Sequence, residues 1–311
     1  MEIKDYRKSY IRFDERNHNF EQQYDEKYYE KQHKKGKLTA KERIDFLVDE
    51  DTFEEIDAFV VPQMTDTKFG KIQKKYGDGV IAGHGKINGR LVMALKMGAP
   101  IIGLIDSGGA RIQEGIASLA GYANIFQRNV KSSGVIPQIS VILGPAAGGA
   151  VYSPALTDFI FMARNTSYMF VTGPDVVKEV LSEEVTHEDL GGADVHNQKS
   201  GVSQFVYNDE ENALLGVKKL LNYLPSNNVE TPPLYNVEEI EPHNPEKLRQ
   251  IIPNDANKPY DVKDIINLIV DRNSLLEISE HFAQNIFIGL ARLNRKVIGI
   301  VANQPKFLAG V

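Results

Sequence analysis

Two glycine-rich segments constrain the fold of this chain more than any other feature. Residues 106–111 (DSGGAR) and 144–150 (GPAAGGA) each follow a short apolar run and precede residues with helical spacing. The runs at 100–105 and 135–143 are typical of strands buried on both faces. Helical spacing after the first segment is visible at five apolar positions (Ile112, Ile116, Leu119, Ala123 and Phe126). Two such units in tandem predict a layered α/β domain with both glycine turns along one edge.

This arrangement also predicts chemistry at the glycine turns. A strand that ends in glycines and opens into a helix leaves backbone N–H groups without partners, and the helix dipole reinforces them. Such a point can hold an anion or a developing oxyanion. A lone Gly-Gly is more simply a tight turn, but the duplication favours a chemical role. Neither segment has the pattern of a phosphate loop or a dinucleotide site, and a nucleophilic Ser107 stays open although no Gly-x-Ser-x-Gly elbow surrounds it.

Composition excludes several classes of protein. The chain has 311 residues, enough for two domains, and its net charge of −6 gives no general nucleic-acid footprint. It contains no cysteine, so we expect neither a disulfide framework nor a thiolate metal site, and a cytoplasmic location is the default. The seven histidines have no metal-ligand spacing, and no long uncharged apolar stretch occurs. We therefore expect no metal, no secretion and no membrane span.

Local patterns outside the glycine segments predict several further elements. Residues 20–35 are expected to form one helix ended by Gly36, and Thr39 with Glu42 forms a capping box that starts the next helix. Residues 78–92 read as a hairpin that turns at Asn88-Gly89. Residues 225–259 contain seven prolines and predict a linker.

The sequence also contains an internal repeat. Residues 48–56 (VDEDTFEEI) match residues 270–278 (VDRNSLLEI), and the hairpin segments 87–92 and 293–298 correspond as well. A duplication of this kind indicates two domains of the same fold. We place them at residues 1–240 and 241–311, the second being only the start of a copy of the first.

Several long motifs resemble one known family. They are residues 106–115 (DSGGARIQEG), 135–156 (VIPQISVILGPAAGGAVYSPAL), 171–177 (VTGPDVV), 188–193 (EDLGGA) and 300–305 (IVANQP), supported by residues 37–44 (KLTAKERI) and 226–230. These motifs are similar to the carboxyltransferase subunits of biotin-dependent acyl-CoA carboxylases. Within that family the propionyl-CoA carboxylase β subunit is the most similar.

The resemblance implies a crotonase/ClpP-like fold and transfer of a carboxyl group from carboxybiotin to the α-carbon of propionyl-CoA or acetyl-CoA. It assigns the N–H groups of Gly108 and Gly109 to a thioester oxyanion that develops with the enolate. It implies further substrate-binding positions at Ala110, Arg111, Gly144, Ala147, Gly148 and Gly149. Arg111 could contact a carboxylate or phosphate, or simply pair with Glu114 one turn on.

The resemblance also implies partners. Biotin would be carried by a biotin carboxylase and biotin carrier subunit, with none attached to this chain, and the biotin nitrogen would serve as the base. The intact family member would be a homo-oligomer. Four lysines near the start (Lys31, Lys34, Lys35 and Lys37) form either a solvated face or a contact with the CoA phosphates.

Two departures from the family pattern qualify these expectations. The second copy stops after its opening hairpin, and one strand–helix unit is missing near residues 92/93. The sequence therefore predicts that this chain alone lacks carboxylase activity, because only one glycine-built oxyanion element is present. The alternatives are a non-catalytic, truncated remnant and a methylmalonyl-CoA decarboxylase subunit of the sodium-pump type.

Overall fold

A computed structural model describes residues 4–62, 66–67, 70–71, 75–92, 98–234, 245–255 and 258–308. The segment 93–97, where a unit is expected to be missing, lies outside the described residues. The expected domain boundary at 240/241 lies outside them as well. Both expectations stay predictions.

The described chain alternates helices and strands through its central part. Its helices are α1 Lys4–Gln22, α2 Glu26–His33, α3 Ala40–Leu47, α4 Ile116–Ser132, α5 Gly149–Ala155, α6 Pro174–Leu181, α7 His187–Gly191, α8 Glu210–Leu221, α9 Pro245–Ile251 and α10 Val262–Ile269. Its strands are β1 Glu54–Ile56, β2 Asp66–Thr67, β3 Gly70–Lys71, β4 Ala82–Ile87, β5 Arg90–Val92, β6 Ile101–Ser107, β7 Gln138–Ala147, β8 Phe159–Ala163, β9 Tyr168–Phe170, β10 Phe205–Tyr207, β11 Leu276–Glu277, β12 Ile286–Leu293 and β13 Lys296–Asn303. Short 3₁₀ turns lie at Tyr76–Gly79 and Ile112–Glu114, and a π turn at Val195–Lys199.

A parallel sheet forms the centre of the fold. Its strand order is β10, β8, β7 and β6, and β9 pairs in parallel with the carboxyl end of β7. The predicted strands at 100–105 and 135–143 are thus confirmed as β6 and β7. The apolar side chains of α8 cover one face, where Leu214, Val217 and Leu220 are fully buried against the sheet residues. Parallel strands of this kind bring their carboxyl ends to one edge of the sheet.

Four local expectations need correction. The helix after the first glycines begins only at Ile116, because a 3₁₀ turn and Gly115 intervene. β6 at the sheet edge is only half-buried and not buried on both faces, and Ile112 in the 3₁₀ turn and Ile116 and Leu119 in α4 are exposed. The single helix expected at 20–35 is two helices, separated at Asp25, whose side chain caps α2. The expected linker contains the helix α9.

The internal repeat is visible in the hydrogen bonds. The carboxylate of Asp49 accepts bonds from the N–H groups of Asn88 and Gly89 at 2.9 and 2.7 Å. In the second copy, Asp271 accepts bonds from Asn294 and Arg295 at the same two distances. Each aspartate therefore holds the turn of its own hairpin, β4–β5 or β12–β13. The hairpin predicted at Asn88-Gly89 is confirmed, with both residues at positive φ.

Candidate functional site

The first glycine segment is an open loop at the carboxyl end of β6. Gly108 is exposed, and a methyl group added to its Cα would meet no atom within 4 Å. Gly109 has a φ of +105°, a conformation that glycine adopts without strain. Its N–H donates to the Ser107 hydroxyl at 3.2 Å. The loop therefore has open space at Gly108, holds the Gly109 N–H against the Ser107 hydroxyl, and has no helix directly behind it.

The second glycine segment follows β7 and does open directly into a helix. Gly148, with φ at +55°, is the residue before α5, and its N–H donates to the Val171 carbonyl oxygen at 3.2 Å. Gly149 is packed against the Tyr122 ring, since an added methyl group would lie 3.0 Å from it. Glycine at this position lets α5 lie close to Tyr122 of α4, which would have to shift to make room for a side chain.

The two loops lie against each other. β6 and β7 are paired in parallel, with Ser107 opposite Ala146. A methyl group on Gly109 would lie 2.6 Å from the Ala147 carbonyl oxygen and 3.7 Å from the Gly149 nitrogen. The structure thus brings Gly109, Ala147 and Gly149 together. Ala110 continues the first loop, and Gly148 is the junction of the second.

Gly144 occupies a different place from the other predicted residues. It is buried within β7, where an added methyl group would overlap the Asp106 carboxylate. It therefore lies beneath the first loop, next to the residue that precedes Ser107. The role of Gly144 in substrate binding stays a prediction, and its contacts explain it as a packing residue.

A buried ionic cluster lies under the first loop, and no local pattern in the sequence predicts it. Asp106 forms ion pairs with Lys37 and with Arg43, the latter at 3.2 Å. Arg43 also donates to Glu210 at 2.7 and 2.9 Å, and to the Leu143 carbonyl oxygen at 3.0 Å. A register shift between Ile105 and Ser107 falls at Asp106, and irregularities of this type re-aim side chains. The cluster fixes the end of β6 to α3 and α8.

The electrostatics of this cluster favour a charged arginine. Burial by itself would lower the pKa of Arg43, but the carboxylates of Glu210 and Asp106 raise it above its usual value. The Arg43 and Glu210 side chains are each only 4% exposed. Removing one partner from a pair this deeply buried leaves an uncompensated charge. Lys37 and Arg43 belong to the segment 37–44, and only the match of that segment to the family motif could have indicated their role; local spacing could not.

Arg111 is held by two carboxylates. It pairs with Glu114 at 3.0 Å and with Asp78 at 2.8 Å. The hydrogen bond that Arg111 donates to the Asp78 carboxylate is the main reason that the pKa of Arg111 is raised. The predicted pairing with Glu114 is confirmed, and Asp78 is a partner that sequence spacing could not reveal. A substrate contact of Arg111 stays a prediction.

Two further searches of the described residues bear on function. None of their helices combines the length and the apolar composition that crossing a membrane requires. Over the same residues, His, Asp and Glu side chains form no group of three or more that could hold a metal ion.

Comparison with known proteins gives consistent matches. The carboxyl transferase domain family matches residues 31–97 and 92–311. The propionyl-CoA carboxylase beta chain of Roseobacter denitrificans is 49% identical, over 90% of this chain and 60% of that protein. The methylmalonyl-CoA decarboxylase subunit alpha of Veillonella parvula is 47% identical, over 92% of this chain and 61% of that protein. This chain therefore spans about three fifths of the length of these relatives.

The structural comparison agrees with the sequence comparison. The crystal structure of transcarboxylase 12S matches with a TM-score of 0.87 and 44% identity, over 92% of this chain and 60% of that one. The match confirms the crotonase-type α/β fold that the resemblance implied. The family match covers nearly all of the chain and includes both glycine loops. The chain belongs to the carboxyl transferase domain family.

Proposed function

We propose that this chain supplies the acyl-CoA side of a biotin-dependent carboxyltransferase. The observation that carries the proposal is the contact between the two glycine loops, where Gly109 meets Ala147 and Gly149 at the carboxyl ends of β6 and β7. Ligands of open parallel sheets bind at this edge. The open space around Gly108 leaves room for reactants beside the backbone donors.

The proposed chemistry uses backbone donors instead of acidic or basic side chains. Loss of a proton from the α-carbon of an acyl-CoA places negative charge on the thioester oxygen. The N–H groups of Gly108 and Gly109 are the proposed donors to that oxygen, and preformed donors stabilise charge as it develops. Biotin, carried by a partner subunit, would supply the carboxyl group and accept the proton. The Ser107 hydroxyl that now accepts the Gly109 N–H would give way to the thioester oxygen.

The proposed substrate and assembly follow the relatives. Propionyl-CoA is the first candidate substrate, with acetyl-CoA as the second, because the relatives include propionyl-CoA carboxylase beta chains. The matched transcarboxylase 12S structure is a hexamer with methylmalonyl-coenzyme A bound. We extend homo-oligomer formation and dependence on a biotin carrier partner to this chain as proposals.

A decarboxylase role is the second candidate, because a methylmalonyl-CoA decarboxylase subunit alpha is 47% identical to this chain. Decarboxylation of methylmalonyl-CoA passes through the same enolate and would use the same N–H donors. The two candidates differ in the direction of transfer and in the partner subunit.

The test has two parts. Calorimetric titration should show that the purified chain binds propionyl-CoA. A chimera that takes from the Roseobacter denitrificans relative all the segments that this chain is expected to lack should transfer carboxyl groups from a carboxylated biotin carrier to propionyl-CoA, whereas the chain alone is predicted to be inactive. A chain that does not bind acyl-CoA, together with an inactive but folded chimera, would exclude the proposal. Transfer only from methylmalonyl-CoA to biotin would favour the decarboxylase.

A further inference from the structure

The regular pairing of β6 with β7 breaks just before the two glycine loops. Ile105 of β6 pairs with Ile142 of β7. The next pair is Ser107 with Ala146, which lies two residues further along β6 but four residues further along β7. Asp106 is therefore left alone opposite three residues of β7. Such a break bends the strands and re-aims side chains, so other contacts have to hold the backbone here.

Arg43 of α3 bridges the two strands at this break. It donates to the Asp106 carboxylate at 3.2 Å and to the Leu143 carbonyl oxygen at 3.0 Å. It also donates twice to the Glu210 carboxylate of α8, at 2.9 and 2.7 Å. Because a guanidinium is planar and presents its donors in a rigid fork, Arg43 fixes the two strands to each other and to α8 in one geometry.

Lys37 is the second cation at Asp106. Its ammonium group and the Arg43 guanidinium donate to the same oxygen of the Asp106 carboxylate. The Lys37 side chain is only 9% exposed, so this lysine is not part of a solvated face. Gly144 of β7 makes room for the pair, since a methyl group on its Cα would overlap the Asp106 carboxylate and lie 2.7 Å from the Lys37 Nζ.

The cluster is balanced in charge and costly to bury. Two cations, Lys37 and Arg43, face two carboxylates, Asp106 and Glu210. Apolar residues of similar volume are often as stabilising as a buried ion pair, so stability alone gives no reason for four charges here. What the ion pairs add is a defined position for the groups that they join.

The position that the cluster defines is the start of the first glycine loop. Asp106 immediately precedes Ser107, whose hydroxyl accepts the Gly109 N–H at 3.2 Å. Gly108 and Gly109 have no side chains that could fix the loop, and Gly108 has open space around its Cα. The directions of their two N–H groups therefore depend on how the chain is held at Asp106.

We propose that Asp106 is a positioning residue for the oxyanion donors, and that its bonds to Lys37 and Arg43 set the direction of the Gly108 and Gly109 N–H groups. This inference rests on the proposed function, which assigns those donors to the thioester oxygen. Asp106 acts through the backbone and touches no reactant. A displacement of reacting groups by about 1 Å can cost on the order of 100-fold in rate, so an anchor at this point has a large effect on the chemistry.

The test measures the carbonyl stretch of propionyl-CoA bound to the full chain, with carbon-13 at the thioester carbonyl. Donors aligned on the oxygen polarise the C=O bond and lower this frequency. In Asp106→Asn, which keeps the shape of the side chain but removes its charge, the stretch should move to higher frequency. The affinity measured by calorimetry should change by less than about threefold, because interactions with the rest of the ligand are unaltered.

The direction of this shift separates three explanations. If the cluster acted only through its charge, removal of the negative charge of Asp106 would polarise the carbonyl more and lower the stretch. If Asp106 had only a structural role, Asp106→Asn would lower the unfolding temperature and leave the stretch of the bound ligand unchanged. Either result would overturn the positioning role.

Lys37 provides a second variant in case Asp106→Asn does not fold. Lys37→Gln should also move the stretch to higher frequency, and Lys37→Arg, which keeps the cation, should restore the unaltered value. Lys178→Gln is the matched control, because it removes an exposed ion pair with Glu184 at 2.7 Å and should leave the stretch unchanged. Thermal unfolding establishes that each variant is folded. A stretch that does not respond to Lys37→Gln would contradict the proposal.

The amide resonances of Gly108 and Gly109 separate this proposal from the proposed function. In the chain without ligand, Lys37→Gln should shift both resonances although Lys37 is 69 residues from Asp106 along the chain, and Lys178→Gln should shift neither. Shifted resonances, with no binding of propionyl-CoA to the unaltered chain, would support the control of these N–H groups by the cluster and count against the proposed function. Unshifted resonances would overturn the positioning role, whether or not propionyl-CoA binds.

Discussion

Gly109 and Ala147 are in contact where the two glycine loops meet. A methyl group on Gly109 would lie 2.6 Å from the Ala147 carbonyl oxygen, well inside van der Waals distance, and Gly109 also has a positive φ. The close packing of the two loops therefore depends on the absence of a side chain at this position. By contrast, Gly108 next to it has open space around its Cα.

This difference predicts that alanine destabilises the chain at Gly109 but not at Gly108. Gly109→Ala should force the loops apart and lower the free energy of unfolding by about 1 to 3 kcal/mol, since both the overlap and the positive φ are unfavourable. It should also weaken propionyl-CoA binding. Gly108→Ala should unfold at the temperature of the unaltered chain. Calorimetry and chemical denaturation measure both quantities, and equal stability of the two variants would contradict the proposed packing.

The Ser107 hydroxyl gives a test of the chemistry. If the site works through backbone donors, Ser107→Ala should keep acyl-CoA binding and keep transfer in the completed chimera within about tenfold of the unaltered residue, because the Gly109 N–H stays in place. A nucleophilic serine would instead lose nearly all activity on substitution. Steady-state rates of the two chimeras distinguish these cases, and Ser133→Ala, an exposed position at the end of α4, is the matched control.

The sequence predicted the sheet better than it predicted the loops. Continuous apolar runs identify β6 and β7, because buried parallel strands have that composition. The apolar spacing after Gly109 correctly predicts a helix but places its start too early, because the 3₁₀ turn at Ile112–Glu114 precedes α4. Ile116, one of the five spaced apolar residues, is 84% exposed. Periodicity reports which residues share a face but not what covers that face.

At the site, the sequence identifies the glycines but not the charged residues that fix the glycine loops in place. Both loops were found because Gly-Gly after an apolar run is a local signal. The ion-pair partners of Asp106 are Lys37 and Arg43, which are 69 and 63 residues away along the chain. Arg43 in turn pairs with Glu210, which is 104 residues from Asp106. No local pattern could therefore show this cluster. The same holds for the pair of Arg111 with Asp78, 33 residues away. Long-range ion pairs depend on the folded arrangement.

The ionic cluster predicts a large effect of one substitution. Arg43→Met should lower the free energy of unfolding by about 3 to 5 kcal/mol, because Glu210 would be left buried without its cation and Asp106 would keep only Lys37. Arg128→Met, on the exposed face of α4, should cost less than about 0.5 kcal/mol. Urea denaturation of the two variants measures the difference. Similar midpoints for both would show that the cluster does not hold the end of β6.

The capping box of α3 predicts a dependence on pH. Burial would raise the pKa of Glu42, but the bonds that it accepts from Thr39 and from His33 lower it below its usual value. Folding thus favours the ionised carboxyl, so its stabilisation is present above the unfolded pKa of about 4.3 and is lost as the pH falls through the lower folded pKa.

Glu42→Gln should therefore destabilise the chain at pH 7 by about 1 kcal/mol or less, allowing for screening by solvent. The difference from the unaltered chain should shrink as the pH falls below roughly 4. Thermal unfolding at several pH values measures it, with Glu183→Gln, an exposed position, as the control. A difference that grows toward low pH would have the wrong sign for this assignment.

The repeated aspartates predict unequal effects of one substitution in the two copies. In each copy, both carboxylate oxygens accept an N–H from the hairpin turn, so Asp→Asn replaces one acceptor with a donor that faces another donor. Asp271 is 8% exposed, whereas Asp49 is half-buried. Because unsatisfied groups cost more when they are shielded from water, Asp271→Asn should cost about 2 to 3 kcal/mol and Asp49→Asn about 1. Amide hydrogen exchange at Asn88 and Gly89, and at Asn294 and Arg295, reports each turn separately. Faster exchange in both turns from a single substitution, or a larger effect at Asp49, would refute the view that each aspartate holds only its own hairpin.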